Sequence, residues 1–201
     1  ASLDGVMYGF PITSESQILI YRKSKISEQH AQSIEGILDM NQANAKLVWD
    51  VFEGYYSFGM MTDALLYGEN GETVTGLKET YLNFATPQTI ENITYLLANY
   101  KSNSNLIIPG STSGTTDIEG LSLFQAGDVD AIIVAPYFWA TAKTLFEGDV
   151  AMAPVTKLNQ INMRPMSGYK LYRVSKYSKN PAIAQQRADF LTSEWAQAIR
   201  L

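Results

Sequence analysis

Short apolar runs of β-branched character alternate along this chain with stretches whose apolar residues recur at helical spacing. Val6–Ile12 and Gln17–Tyr21 are β-rich runs, and Pro11 suits an edge or crossover position. In "SEQHAQSIEGILDM", Ser27 is placed to cap a helix with Ile34, Ile37 and Leu38 on one face. "AKLVWD" predicts a short strand, "GYYSFGMMTDALLYG" a helix closed by Gly68, and "GENGE" a turn. The clearest helix is "ATPQTIENITYLLANYK". Thr86 caps it, Pro87 takes the first position, and Ile90, Ile93, Leu96, Leu97 and Tyr100 fall at helical spacing.

Further along, "DIEGLSLFQAG" predicts a short helix ending at Gly127, and "DVDAIIVAP" a buried strand running into the helix "YFWATAKTLF". "DVAMAPV" and "YKLYRVSK" predict strands, separated by a loop, "KLNQINMRPMSG". Asn180 and Pro181 open a last helix expected to turn Ile183, Phe190, Leu191, Trp195 and Ile199 inward. Such alternation predicts an α/β architecture, a mixed sheet flanked by helices. In such sheets ligands sit beyond the carboxyl ends of strands. Three strand–helix junctions are therefore the places to search: Ser14–Ser16, Asp50–Phe58 and Ala135–Trp139.

Composition narrows the chemistry. With 201 residues, 46% hydrophobic and 17% charged, the chain is globular in character and suits one domain or two small ones. A net charge of −5 argues against a nucleic-acid or anionic-membrane partner. The absence of cysteine excludes disulfides, thiolate catalysis and sulfur-ligated metals. A single histidine, His30, leaves no material for a His-based triad or a histidine metal cluster. No apolar run reaches the ~20 residues that span a bilayer. The opening "ASLDGVMYGF" has no signal-peptide pattern, and the chain stops within a predicted helix, so a piece of a longer protein is expected.

The three junctions share residue types. They carry acids (Glu15, Glu53) or aromatics (Tyr55, Tyr56, Phe58; Tyr137, Phe138, Trp139). A pyranose needs both: an aromatic ring under its C–H face and carboxylates to accept its hydroxyl hydrogens. The competing interpretation is that the rings are core and the acids sit at helix N-termini. "GSTSG" (110–114) has Thr112 where a nucleophile elbow requires serine, and it is expected to be a flexible loop. Glu15 and Glu53 could also be the acid and base of a glycoside hydrolase. No phosphate-cradling motif is present, and neither a cofactor nor a metal is expected. From Val150 to Ala188 there are seven basic residues (Lys157, Arg164, Lys170, Arg173, Lys176, Lys179, Arg187) and no acid. A solvated face accounts for them better than a nucleic-acid surface, given the acidic whole.

Four motifs, in order, resemble the extracellular solute-binding proteins of ABC sugar importers, most of all the maltose/maltodextrin-binding proteins. "DGVMYGFPITSESQILIYRK" is similar to the family's hinge strand, where a proline and then a glutamate precede an "LIYNK"-like strand. "FEGYYSF" resembles its Glu-Pro-Tyr-Phe-x-Trp stretch, and "FQAGDVDAIIVAPYFWA" its segment ending in Gly-Pro-Trp-x-Trp. "NPAIAQQRADFLTSEW" resembles its "SPNKELAKEFLENYL" helix. The resemblance implies a periplasmic-binding-protein-like (type II) lobe. Residues 12–163 would form the second, ligand-binding lobe, residues 1–11 a hinge or first-lobe strand, and residues 165–201 a hinge strand and helix returning to the first lobe.

The implied site has Glu15 and Glu53 as hydroxyl acceptors and Tyr55 and Tyr137 as stacking rings. Phe58 stands where the family has tryptophan, and Trp139 leans toward packing. Gly54 replaces proline and Tyr137 replaces tryptophan, so the platform is smaller. The implied ligand is an oligosaccharide and the implied partners are ABC permease subunits. Location would be extracellular or periplasmic, with membrane contact only through a lipid anchor or the permease, and no nucleic acid. No catalysis is implied. A same-fold binder of a non-sugar ligand is the other alternative.

Overall fold

A computed structural model of the chain describes residues 2–3, 6–39, 45–62, 84–101, 103–108 and 116–200. The strands are β1 (Ser2–Leu3), β2 (Val6–Met7), β3 (Phe10–Ser16), β4 (Ile18–Arg22), β5 (Leu47–Val48), β6 (Leu106–Ile107), β7 (Ala131–Val134), β8 (Val150–Pro154), β9 (Lys157–Leu158), β10 (Ile161–Asn162) and β11 (Ser167–Tyr172). The α-helices are α1 (Ile34–Leu38), α2 (Gly54–Ser57), α3 (Pro87–Tyr100), α4 (Thr116–Ala126), α5 (Trp139–Leu145), α6 (Pro181–Leu191) and α7 (Glu194–Arg200). The chain forms two compact units. Among the described residues, one runs to Glu15 and resumes at Ser167; the other runs from Ser16 to Met166.

The larger unit is built on a five-stranded mixed sheet in the order β6-β5-β7-β4-β8. β5 runs parallel to β6 and β7, and β4 runs antiparallel to both β7 and β8. Period-two alternation on these strands fills two cores, one on each face. Leu19, Tyr21, Leu47, Ala131 and Ile133 point to the face covered by α1, α2 and α3, where Ile34, Ile37, Trp49, Tyr56, Leu96 and Tyr100 are buried. Ile20, Val48, Ile132 and Val134 point to the other, covered by Phe124 of α4, Ala142 of α5 and Phe138 of the turn before α5. The α/β fold expected from the alternation is the fold observed.

Local signals explain the element ends, with some revisions. Ser33, not Ser27, caps α1, its hydroxyl accepting from the Gly36 amide at 2.8 Å. Ser27 instead accepts from the His30 amide and holds a short 3-10 turn, His30–Gln32. That turn lies so close to α1 that a Cβ at Gly36 would stand 2.4 Å from the His30 carbonyl oxygen. α4 gives way to Gly127 at φ 78°, as its place after the helix predicts. The predicted helix beginning at Gly54 is α2 followed by a 3-10 turn, Phe58–Met60; its continuation to Gly68, and the "GENGE" turn, lie outside the described residues.

α3 begins where expected, with the Thr86 hydroxyl accepting from the Thr89 amide at 3.1 Å. Its buried face is different: Thr89, Asn92, Leu96 and Tyr100 are buried, whereas Ile90 and Leu97 are exposed. Asn92 belongs inside because its side-chain amide donates to the Met60 carbonyl at 2.8 Å. The stretch expected to be a loop after β8 contains the antiparallel pair β9–β10. Asn159 and Gln160 form its turn at φ 52° and 63°, the two left-handed positions of a tight hairpin.

In the smaller unit, β1 pairs with β2 and β3 with β11, and α6 and α7 follow. Ile183, Phe190, Trp195 and Ile199, expected to point inward, are 65%, 53%, 64% and 66% exposed. The inward face expected from their spacing is not observed: spacing cannot say what covers a helix, and among the described residues nothing covers these side chains.

Candidate functional site

Strand directions bring two of the three predicted junctions, and the start of β4, to one edge of the large sheet. β5 and β7 are parallel, so the segments after Val48 and Val134 leave at the same edge. β4 runs the other way, and its first residue, Ile18, pairs with Val134 and with Pro154. Gln17, the turn after β5 and the turn after β7 therefore share the edge where ligands collect in such sheets.

The turn after β5 is built around Asp50, which is 3% exposed. One of its oxygens, Oδ1, accepts from the amides of both Phe52 and Glu53, each at 3.1 Å. This Asx turn sets Glu53 in an extended conformation (φ −88°, ψ 125°) as the N-cap of α2. Glu53 Oε2 accepts from the Tyr56 amide at 3.0 Å. The acid thus does hold a helix N-terminus, through one oxygen of its carboxylate. Two further bonds fix the turn: Trp49 Nε1–H donates to the Tyr56 carbonyl at 3.1 Å, and the Gln17 side-chain amide donates to the Tyr55 carbonyl. Gln17 Oε1 and Asp50 Oδ2 are buried with no hydrogen-bond partner among the described residues.

The rings divide between core and surface. Tyr56 is buried, and Tyr55 is partly buried against the α1–α3 core. The two meet edge to face, with centroids 5.4 Å apart. Phe58 is partly buried and meets Phe84 at 6.4 Å, also edge to face. After β7, the 3-10 turn Pro136–Phe138 buries Phe138 and leaves Tyr137 59% exposed. Trp139 is partly buried and packs against the cluster that includes Phe124 and Phe138. Sequence reasoning passed over Phe52, which is 72% exposed on the Asx turn. The signal for it was Asp50: an aspartate two residues earlier predicts a pinned turn, and a pinned turn presents its side chain.

Glu15 falls in the smaller unit, where its carboxylate faces Lys170 Nζ at 3.5 Å. Glu53, Tyr55, Phe58, Tyr137 and Trp139 belong to the larger one. The basic stretch is divided likewise: Lys157 and Arg164 lie in the larger unit, the other five in the smaller. His30 is exposed, its ring Nδ1 3.0 Å from the Ser27 hydroxyl. The "GSTSG" segment lies outside the described residues. Among the described residues no group of three His, Cys, Asp or Glu side chains could hold a metal ion, and no helix is long and apolar enough to cross a membrane.

The larger unit thus carries pinned aromatic and acidic turns at the sheet edge where α/β folds commonly collect ligands. The chain belongs to the family of bacterial extracellular solute-binding proteins, whose model matches residues 1–201. This is a family of binding proteins rather than enzymes. A galactooligosaccharide-binding protein of Bacillus subtilis (strain 168) is 26% identical over 203 residues, covering 96% of this chain and 47% of that protein. Among solved structures, a maltodextrin-binding protein from L. casei without ligand superposes with a TM-score of 0.77 at 22% identity. It covers 98% of this chain, which spans 50% of that one. A maltose-binding periplasmic protein from Listeria monocytogenes, in complex with maltose, gives 0.75 at 23% identity, with coverage of 98% and 52%. The fold is thus that of the periplasmic-binding-protein-like class, and the chain spans about half the length of the relatives it matches.

Proposed function

We propose that this chain is the second, ligand-binding lobe, residues 12–163, of the substrate-binding component of an ABC importer. In this reading residues 1–11 and 165–201 are hinge strands and part of a first lobe that further sequence completes. The ligand is maltodextrin or a related oligosaccharide, held between the lobes. Tyr137 and Tyr55 offer stacking faces and Glu53 accepts sugar hydroxyls, with Glu15 a second acceptor from the hinge. Phe58 and Trp139 back the platform. The observation that carries the reading is the shared sheet edge. The turn bearing Glu53 and Tyr55 and the turn bearing Tyr137 both leave the sheet there, and Tyr137 stays exposed on its turn. No bond is made or broken. Closure of the two lobes on sugar favours the state that the membrane permease accepts, and a lipid anchor holds the protein at the outer surface.

Isothermal calorimetry on the two-lobe protein with maltodextrins and galactooligosaccharides of increasing length tests the reading. Micromolar or tighter binding of at least one series is expected; silence toward every oligosaccharide would remove it. Product analysis after incubation with the same sugars addresses the glycoside-hydrolase alternative through Glu15 and Glu53. Oligosaccharides recovered at full length are expected, and shortened products would favour the enzyme. The 201-residue chain alone is expected to bind at least tenfold more weakly, since a single wall leaves half the ligand in water.

A further inference from the structure

Among the described residues the chain passes between the units at two places, from Glu15 to Ser16 and from Met166 to Ser167. Ser16 Oγ donates to the Met166 carbonyl at 3.0 Å, so the two passages are bonded together on the large unit's side. The next residue, Gln17, is 2% exposed. Its Nε2 donates to the carbonyl of Tyr55, while its Oε1 is buried without a hydrogen-bond partner among the described residues. Burying an amide with its acceptor unmet is costly, and leucine or methionine would fill similar volume without that penalty. What the amide supplies in return is a donor aimed at the Tyr55 turn. Glu53 and Trp49 also bond to that turn, but both belong to its own loop. Gln17 ties it to the place where the chain changes units.

Resting on the reading of Tyr55 as a sugar-stacking ring, we propose that Gln17 is a positioning residue that sets this ring from the interlobe passage, through the bonded path Met166–Ser16–Gln17–Tyr55. Displacement of the passage then moves the backbone that carries the ring, and ordering of the ring resists displacement of the passage. This makes the ring's placement part of lobe closure rather than a fixed property of one lobe.

The test is a double-mutant cycle in the two-lobe protein, read by calorimetry with maltotriose and, in parallel, a galactooligosaccharide trimer. Gln17→Met, which keeps the volume and removes the donor, is expected to weaken binding about fivefold or more. The loss should vanish when Tyr55 is already alanine, because Gln17 acts through that residue. Gln17→His, whose ring N–H can replace the amide donor, should recover most of the affinity. A purely structural role predicts the opposite order, with the rigid, polar histidine ring worse than methionine in a buried site, and losses that add to that of Tyr55→Ala. Affinity within twofold of the parent in Gln17→Met, with only the melting temperature lowered, would also overturn the assignment. If the parent binds no member of either sugar series, the sugar reading fails and this inference with it; if the parent binds and the cycle is additive, only Gln17 loses its role.

Discussion

Single residues carry the site's chemistry and much of its rigidity. Tyr137 is exposed and Tyr55 partly buried, so the two substitutions separate binding from stability. Tyr137→Ala should lower oligosaccharide affinity about tenfold with little change in melting temperature. Tyr55→Ala should lower both, because its ring also packs on Tyr56 and the core. Calorimetry and a thermal melt on each variant check this. Asp149 makes stability depend on pH. Hydrogen bonds from the Ser24 hydroxyl, at 2.5 Å, and the Ser24 amide, at 2.8 Å, outweigh partial burial; with the Arg22 guanidinium alongside, they hold this carboxyl below the usual aspartate range. Its stabilising contribution is therefore full above the unfolded-state pKa and is lost as pH falls through the lowered folded value. Urea midpoints should drop as pH falls below about 4, the unfolded aspartate value, and Asp149→Asn should make that drop shallower. What the sequence alone could say of such residues was limited. Acids and rings at the turns were visible in "FEGYYSF", but the bond from Glu53 to the Tyr56 amide depends on a turn set by Asp50.

At the scale of elements, ends were easier to read than faces. Thr86 and Pro87 announced the start of α3, because capping is local chemistry. Removing the cap in Thr86→Ala should cost about 1 kcal/mol, and Thr86→Ser should return most of it, as chemical denaturation would show. Which side of α3 is buried is not local. Apolar spacing selected Ile90 and Leu97, yet Thr89 and Asn92 are inside, since a hydrogen-bonded amide can hold a core position and a hydrophobicity pattern cannot anticipate its partner. The β9–β10 hairpin was missed for a related reason: its turn is Asn159–Gln160, with no glycine to mark it. Gln160 sits at φ 63°, where a side chain is strained, so Gln160→Gly should stabilise the larger unit by up to about 1 kcal/mol, measured by its denaturation midpoint.

For the molecule as a whole, the alternation of strands and helices was enough to place it in the α/β class, since the hydrophobic period is set by the backbone itself. The division into units was not visible in that pattern. It follows from strand pairings between distant segments, such as β3 with β11. The apolar face of α6 and α7 belongs to this scale too. Phe190 and Trp195, with ring centroids 5.6 Å apart, stand with Ile183 and Ile199 in the open. An exposed patch of this kind favours association. The 201-residue chain should therefore bind a hydrophobic dye and self-associate at micromolar concentration. Phe190→Gln with Trp195→Gln should reduce both effects in light scattering, leaving the melting of the larger unit unchanged. Retained association in the double variant would place the sticky surface elsewhere.

The position of β4 in the large sheet also bears on how the larger unit comes into being. Its residues come early in the chain, yet its partners are β7 and β8: Ile18 meets Val134 and Pro154, and Arg22 meets Val150. An inner strand whose neighbours lie so far downstream is completed late, and pairings of such long sequence separation slow folding. Until β7 has emerged both edges of β4 are open, and one edge stays open until Pro154 follows, so this sheet closes only through late, long-range pairing.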